Sequence, residues 1–440
     1  MNINFQALGC RLNEAELESW ATQFLQSGHQ VTTDPTDADM VIFNSCSVTA
    51  AADRKSRQQI NRLHRDNPEA HLIVTGCHAS LNPESVKNHL GVDMVVANDR
   101  KDNLVEDAIQ YFDLESTQVA DQSINPLFLR GRHRAFIKVQ DGCRYRCTYC
   151  IVTLARGEEK SRSPEDILAE VKQIHSQGIN EIVITGVHVG GYGSDIGSDL
   201  HRLLADILEF TDIPRIRLAS VEPWDLPDQF FELFGDTRLM PHMHLPIQSG
   251  CDSVLRRMAR RCKTAEFARI VDKARDAVPL FNITTDLITG FPGETEDEWR
   301  QTLQFVEQIG FGHMHIFPFS ARAGTKAARL PDQLEKSVKK ARSAEMHVIA
   351  REMKRKELER HIGQKEDVLW EQSMSDSQSM WQGYTRYYHK VSSYQPAVTS
   401  ASVSSVTLDG VSEDGQFLTT SRFANHPNSI YVDALTGNMS

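Results

Sequence analysis

No stretch of this chain stays apolar long enough to cross a bilayer: a spanning helix needs about 20 predominantly apolar residues, and charged or polar residues interrupt every run before that. The opening Met1-Asn2-Ile3-Asn4-Phe5-Gln6 has no basic stretch followed by an apolar one, so no secretory signal and no membrane partner are expected, and a cytoplasmic location follows. Positive charge is not in excess either. The formal net charge is −11, which argues against a nucleic-acid partner unless the basic residues are clustered. Internal repeats and low-complexity segments are missing, apart from a mild Ser/Val bias over 391–406. Cysteine is scarce, with eight in 440 residues. In a reducing compartment eight thiols do not make a disulfide framework, which leaves metal or cluster ligation and ordinary burial as competing readings.

The basic residues do cluster. Arg130, Arg132, Arg134 and Lys138 precede one cysteine group, and Arg144, Arg146 and Arg156 surround it. Lys339, Lys340, Arg342, Arg351, Lys354, Arg355, Lys356 and Arg360 crowd a late helix. Such a run is either a nucleic-acid contact or a solvated helix face.

Hydrophobic periodicity points to an α/β chain. Strand-like runs at 3–8, 40–44 and 71–75 alternate with helix-like segments at 14–26 and 51–65, an order that implies a parallel sheet with right-handed crossovers. A polar stretch over 115–125 reads as a linker. Beyond it six strand-like runs, 135–140, 181–185, 215–220, 243–248, 282–288 and 313–319, alternate with helix-like segments at 164–177, 199–210, 264–277 and 296–308. Six βα units predict an open, partial (βα)6 barrel. After a helix over 332–361 come short strands without helices, at 367–370, 383–390, 403–408 and 416–420, as in a small C-terminal β-barrel that binds RNA. The expected domains are 1–122, 129–360 and 361–430.

The sharpest motif is Asp141-Gly142-Cys143-Arg144-Tyr145-Arg146-Cys147-Thr148-Tyr149-Cys150, a C-x3-C-x2-C loop just after the first barrel strand. Three thiolates on one loop can hold three irons of a 4Fe-4S cubane and leave the fourth open for a ligand. The alternatives are a structural zinc site, which usually recruits a fourth ligand, or buried thiols. Cys10, Cys46 and Cys77 are far apart in sequence, yet each sits at the carboxyl end of a predicted parallel strand. Those ends share one sheet edge, with neighbouring strands about 4.8 Å apart, so the three thiols can converge on a second cluster. Taken singly, each would read as a buried core cysteine. Cys251 and Cys262 fall outside both triads and read as packing residues.

The C-x3-C-x2-C loop resembles the signature of the radical S-adenosylmethionine (SAM) superfamily. The resemblance implies that Cys143, Cys147 and Cys150 hold a 4Fe-4S cluster whose open iron chelates SAM, with Tyr149 against its adenine. It also implies SAM contacts from Gly186 and Gly190 in the glycine-rich segment 185–193, from Gln248 in 244–250, and from Gly290 and Pro292 in 286–295. The strand-end triad, the barrel and the small β-domain together resemble the methylthiotransferases across nearly the whole chain. That family implies an auxiliary 4Fe-4S cluster on Cys10, Cys46 and Cys77, where sulfur and a methyl group are assembled, and a TRAM-like RNA-binding domain at the C-terminus.

Three substrates are possible within the family: isopentenyladenosine in tRNA, threonylcarbamoyladenosine in tRNA, and an aspartate of a ribosomal protein. Leu8-Gly9-Cys10-Arg11-Leu12-Asn13-Glu14-Ala15-Glu16 is similar to the threonylcarbamoyladenosine branch, with a basic residue after the cysteine and an asparagine three positions on. The implied product is 2-methylthio-N6-threonylcarbamoyladenosine at tRNA position 37. Implied partners are the tRNA anticodon loop and an electron donor such as flavodoxin or ferredoxin; the sulfur donor is unspecified. The late basic helix and Trp370, Trp381, Tyr384, Tyr387 and Tyr388 would supply charge and stacking surface, or else these aromatics form the small domain's own core. A non-catalytic iron–sulfur RNA-binding protein is the competing class.

Overall fold

The computed structural model describes residues 1–116, 133–373, 380–393 and 402–420. Most of the expected linker, from residue 117, lies outside them, as do Arg130, Arg132 and residues 421–430.

The N-terminal third is a five-stranded parallel sheet in the order Gln30–Thr32, Asn2–Ala7, Met40–Ser45, His71–Gly76, Val92–Val96. Every residue of Met40–Ser45 is buried, as a central strand covered on both faces requires. Alternation sorts the side chains: Met40, Ile42 and Ile73 pack on one face with Trp20 and Phe24 of helix Arg11–Gln26. Val41, Phe43, Leu72 and Val74 pack on the other with Ile60 and Leu63 of helix Ala50–Asp66. The two edge strands were not expected from the sequence; both are short and carry exposed polar residues.

The six barrel strands all form and are parallel. Ala135–Lys138, Glu181–Thr185 and Arg215–Leu218 pair as one group of three, and His242–His244, Asn282–Thr289 and His313–Pro318 as another. Bridges at Ile216–Leu239 and Ser220–His244 join the groups into one curved, open sheet. Three barrel helices are capped at their starts: Ser163, Asp199 and Thr295 each accept a backbone N–H of the first turn. The fourth strand is shorter than expected. Pro246 has no N–H for the ladder, and Gln248 turns at φ 77°.

Helix Lys336–Glu359 then crosses to a curled six-stranded sheet, in the order Val403–Thr407, Lys365–Ser373, Trp381–Tyr384, Lys390–Ser393, Leu418–Thr420, Gly410–Val411. The expected single strand over 383–390 is in fact two. Tyr388 takes φ 65°, and the Thr385 N–H donates to the His389 carbonyl at 3.0 Å, closing a turn between them.

Candidate functional site

The loop bearing Cys143, Cys147 and Cys150 leaves the end of the first barrel strand and is fixed from three sides. The Cys143 N–H donates to the Gly157 carbonyl (3.1 Å), the Thr148 N–H to Met258 (2.9 Å), and the Ala327 N–H to the Thr148 carbonyl (2.7 Å). Arg260 lies 3.9 Å from the Cys147 sulfur, with its guanidinium over the Trp224 ring. Burial raises the Cys143 thiol to about 12 and that of Cys150 to about 11. Thiols raised that far, those of Cys143 and Cys150, stay protonated at neutral pH, and metal ligation displaces the proton.

Cys10, Cys46 and Cys77 each follow the carboxyl end of a parallel strand, on one edge of the sheet. A Cβ on Gly9 would sit 2.8 Å from the Cys46 sulfur, and one on Gly76 would lie 2.2 Å from the Ser45 carbonyl, so only glycine lets these strand ends approach. Cys46 and Cys77 are buried, while Cys10 lies at the open rim. Burial raises the Cys46 thiol to about 11, and the neighbouring Cys77 and Cys10 thiols act in the same direction. Ser56 clamps the loop after the strand, accepting the Cys46 N–H at 3.0 Å and donating to its carbonyl at 2.7 Å.

These donor sets fit iron–sulfur clusters better than single ions. A tetrahedral zinc holds thiolates about 3.8 Å apart at Zn–S distances of about 2.3 Å. Among the described residues three groups of potential ligands have their donor atoms within 4.8 Å of one another, and neither cysteine triad is one of these groups. Each set supplies three thiols, one short of the four that close a cubane's shell.

A buried ionic network, which the sequence reading missed, joins the two triads. Glu16 accepts from Arg156 (2.9 Å), Lys101 (2.6 Å) and Asn44 (2.7 Å). Arg156 also donates to Asp141 (3.0 Å) and to Asn13 (2.7 Å), whose amide oxygen lies 3.6 Å from the Cys10 sulfur. Thus Asn13 and Glu16 belong to the N-terminal sheet domain, while Asp141 and Arg156 flank the barrel's cysteine loop. The helix opening on Cys77, Cys77–Leu81, packs against Val152–Arg156, which follows Cys150. A second link runs from Arg322, beyond the last barrel strand, to Ser47 (2.7 Å) and Asp53 (3.4 Å); Asp53 also meets His78 at 3.0 Å. A cleft of about 790 Å³ opens behind the network, lined by Glu16, Lys101, Lys138 and Arg156 but by no cysteine.

The other expected site residues lie after or between the barrel strands. Tyr149 packs against Met258, Ile288, Phe291 and Phe319. Protein atoms crowd three of the glycines: a Cβ would meet the Gln140 carbonyl at 2.9 Å on Gly186, Asp225 at 3.0 Å on Gly190, and Lys339 at 2.3 Å on Gly290. Gln248 and Pro292 are buried, and the Gln248 backbone pairs with Asp286 and Ile288. His188, inside the glycine-rich segment, is fully buried between Glu159 (2.5 Å) and Asp225 (2.6 Å), with the Tyr145 ring 4.7 Å away. Burial alone would lower its pKa, but contacts with Asp225, Glu222 and Glu159 raise it.

Several basic and aromatic residues prove to be internal. Arg134, Arg215 and Arg217 surround the buried Glu181. Arg217 also donates to the Thr385 and Arg386 carbonyls, docking the C-terminal sheet on the barrel. Trp370 is core, and Tyr384 stacks on Tyr388 at 4.8 Å with Arg134 4.9 Å from the Tyr384 ring centroid. Arg342 is buried against Glu294 at 2.7 Å, whereas Lys336, Lys340 and Arg351 on the same helix are exposed. Cys251 and Cys262 are buried packing residues.

Comparison with known proteins agrees with this geometry. Residues 137–306 match the radical SAM superfamily, and residues 2–97 match an uncharacterized protein family, UPF0004. The chain is 38% identical over 396 residues to a threonylcarbamoyladenosine tRNA methylthiotransferase, MtaB, of Thermotoga maritima, covering 88% of this chain and 90% of that protein. It is 33% identical to the MtaB protein of Bacillus subtilis, over 88% of this chain and 89% of that one. Among solved structures, the radical SAM methyltransferase TsrM of Kitasatospora setae shares the fold, with a TM-score of 0.55 and 15% identity over 72% of each chain. With the radical SAM signature matched and relatives covered over nearly their full length, the chain belongs to the radical SAM methylthiotransferase family.

Proposed function

We propose that this enzyme converts N6-threonylcarbamoyladenosine at position 37 of tRNA, beside the anticodon, to its 2-methylthio derivative. The observation that carries the reading is the Glu16–Arg156–Asn13 network, which ties the segment after Cys10 to the barrel's cysteine loop. In this reading Cys143, Cys147 and Cys150 hold one 4Fe-4S cluster and Cys10, Cys46 and Cys77 the other. When bound, the clusters and SAM supply the radical that activates the substrate carbon and the sulfur and methyl group it receives.

The chain's own residues orient and enclose. Arg156 and Asn13 set the distance between the two cysteine loops, and Arg260 sets its positive charge beside Cys147. Tyr149, Gly186, Gly190, Gln248, Gly290 and Pro292 line the SAM side of the mouth in this assignment. Arg11 sits at the junction of all three parts: it is exposed, donates to the Tyr388 hydroxyl at 3.0 Å and lies 5.1 Å from the Phe136 ring centroid. A cation with neutral partners beside Cys10 suits the threonyl carboxylate of the modified base. Lys336, Lys340 and Arg351 offer charge to the anticodon-stem phosphates. The three units are taken as 1–122, 129–360 and 361–430. The reaction also calls for a one-electron donor protein, flavodoxin or ferredoxin, and a cytoplasmic setting where tRNA is available.

Mass spectrometry of tRNA nucleosides from cells with and without the gene tests the reading. Loss of the methylthio nucleoside with accumulation of its unthiolated precursor is expected. An unchanged level, or loss of methylthio-isopentenyladenosine instead, refutes the substrate assignment.

A further inference from the structure

Where the long helix ends and the C-terminal sheet begins, on residues of neither cysteine triad, three ligand atoms converge on one point. Glu357 lies on the last turn of helix Lys336–Glu359, His361 just beyond it, and His389 at the end of the turn before strand Lys390–Ser393. All three side chains are buried, with relative exposures of 7% for Glu357, 0% for His361 and 4% for His389. The two imidazole Nε2 atoms are 3.1 Å apart, and Glu357 Oε1 lies 3.5 Å from one and 3.6 Å from the other. A point about 2.0 Å from all three atoms lies at the centre of this nearly equilateral triangle, the distance at which zinc takes imidazole nitrogen and carboxylate oxygen.

Hydrogen bonding alone does not account for the arrangement. One Nε2–H can donate to the other Nε2, but Glu357 Oε1 meets the two imidazoles only at the long ion-pair distances of 3.5 and 3.6 Å, and no closer donor reaches that buried oxygen. Its other oxygen is engaged by Arg360 at 2.8 Å, which aims Oε1 into the triangle. A buried carboxylate oxygen and two imidazole nitrogens converging on one point supply the donor set of a cation's coordination shell.

We propose that Glu357, His361 and His389 form a structural site for a divalent transition metal, zinc by the chemistry of its donors, with water at the fourth corner. The ion would pin the long helix to the C-terminal sheet. The same turn already reaches the barrel, where the Asn282 side chain donates to the Tyr387 carbonyl at 2.7 Å and Arg217 lies 4.6 Å from the Tyr388 ring centroid. The site would thereby set the angle at which the RNA-binding sheet meets the barrel.

The test uses the full-length enzyme with both iron–sulfur clusters in place, incubated with zinc sulfate and desalted. Metal content is read by inductively coupled plasma mass spectrometry, and the zinc surroundings by X-ray absorption at the zinc edge. The expected result is stoichiometric zinc with a shell of nitrogen and oxygen only. His389→Val and the double variant His361→Phe/His389→Val, which fill the space with apolar side chains, should lose that zinc while iron content stays unchanged. Absence of zinc from the wild-type protein, a sulfur-containing shell that places zinc on a cysteine triad, or full zinc retention by the variants would each overturn the proposal. The wild-type spectrum decides even if the variants fail to fold.

Discussion

Replacing Glu16 with alanine should detach the N-terminal sheet domain from the barrel. Glu16 is 4% exposed, Lys101 1%, and the Arg156 side chain 2%, so the substitution strands two buried cations. Arg156 keeps Asp141 at 3.0 Å, but Lys101 is left with the Asn44 amide oxygen at 3.2 Å in place of a carboxylate. Removing one partner of a buried ion pair costs about 3–5 kcal/mol, because the uncompensated charge remains in a low-dielectric site. At roughly 2–4 °C per kcal/mol for a unit of this size, the first unfolding transition of the full-length protein should fall by about 6–20 °C. Glu16→Gln, which keeps the contact with Asn44 and loses the charge, should fall in between.

Two features separate this mechanism from a simple cavity. Burial alone would raise the Glu16 pKa, but Arg156, Lys101 and Lys138 hold it well below the ordinary carboxylate range. The stabilisation is therefore present above the unfolded value of about 4.3 and is lost only as pH falls below that, so the gap between variant and wild type should be flat near neutrality and narrow in acid. In addition, a double variant, Glu16→Leu/Lys101→Met, should lose markedly less than the sum of its single changes, since it removes both buried charges. Calorimetry across pH measures both. A loss under about 1 kcal/mol for Glu16→Ala, or strict additivity in the cycle, would refute the reasoning.

Cys147→Ala should abolish SAM cleavage, whereas Cys46→Ala should keep cleavage and lose methylthio transfer; 5′-deoxyadenosine assays and nucleoside mass spectrometry separate the two, and full product from either variant contradicts the cluster assignment. Arg11→Gln should raise KM for an anticodon stem-loop carrying threonylcarbamoyladenosine by about 10- to 150-fold, the worth of a charge-assisted hydrogen bond of roughly 1.5–3 kcal/mol. An analogue with its carboxylate amidated should bind wild type and variant alike, and equal KM values for the native substrate would remove the role of Arg11. His188 has its pKa raised by Asp225, Glu222 and Glu159 against the lowering effect of burial. Its stabilisation is thus full below about pH 6.5 and lost as pH rises through the folded value, and His188→Gln should abolish that slope in a melting-temperature profile against pH.

What could be read in advance follows from how each feature is encoded. The Cys143–Cys147–Cys150 loop is local, so its spacing alone announces it. Cys10, Cys46 and Cys77 are 31 to 67 residues apart in pairs, yet parallel topology sends every strand's carboxyl end to one edge, and the alternation of buried residues revealed the strands. The edge strands Gln30–Thr32 and Val92–Val96 escaped because their inner faces are too short to show a period. The turn at Tyr388 escaped because nothing in Thr385–His389 is a glycine or proline, and the left-handed residue is a tyrosine held by its stack on Tyr384.

The electrostatic half of the site was hidden for a deeper reason. A charged residue in sequence carries no mark of where its partner lies, and most charged residues face water. Glu16, 140 positions from Arg156, therefore looks like a solvated helix position, Arg217 like an ordinary strand residue, and Arg134, Arg156 and Arg342 like part of a nucleic-acid footprint. Only the fold shows that each meets a buried carboxylate. The charges that remain outside, Arg11 among them, are what a polyanionic substrate meets. Because binding answers to that residue of unburied cations and not to net charge, a chain at −11 can still belong to a family that acts on RNA.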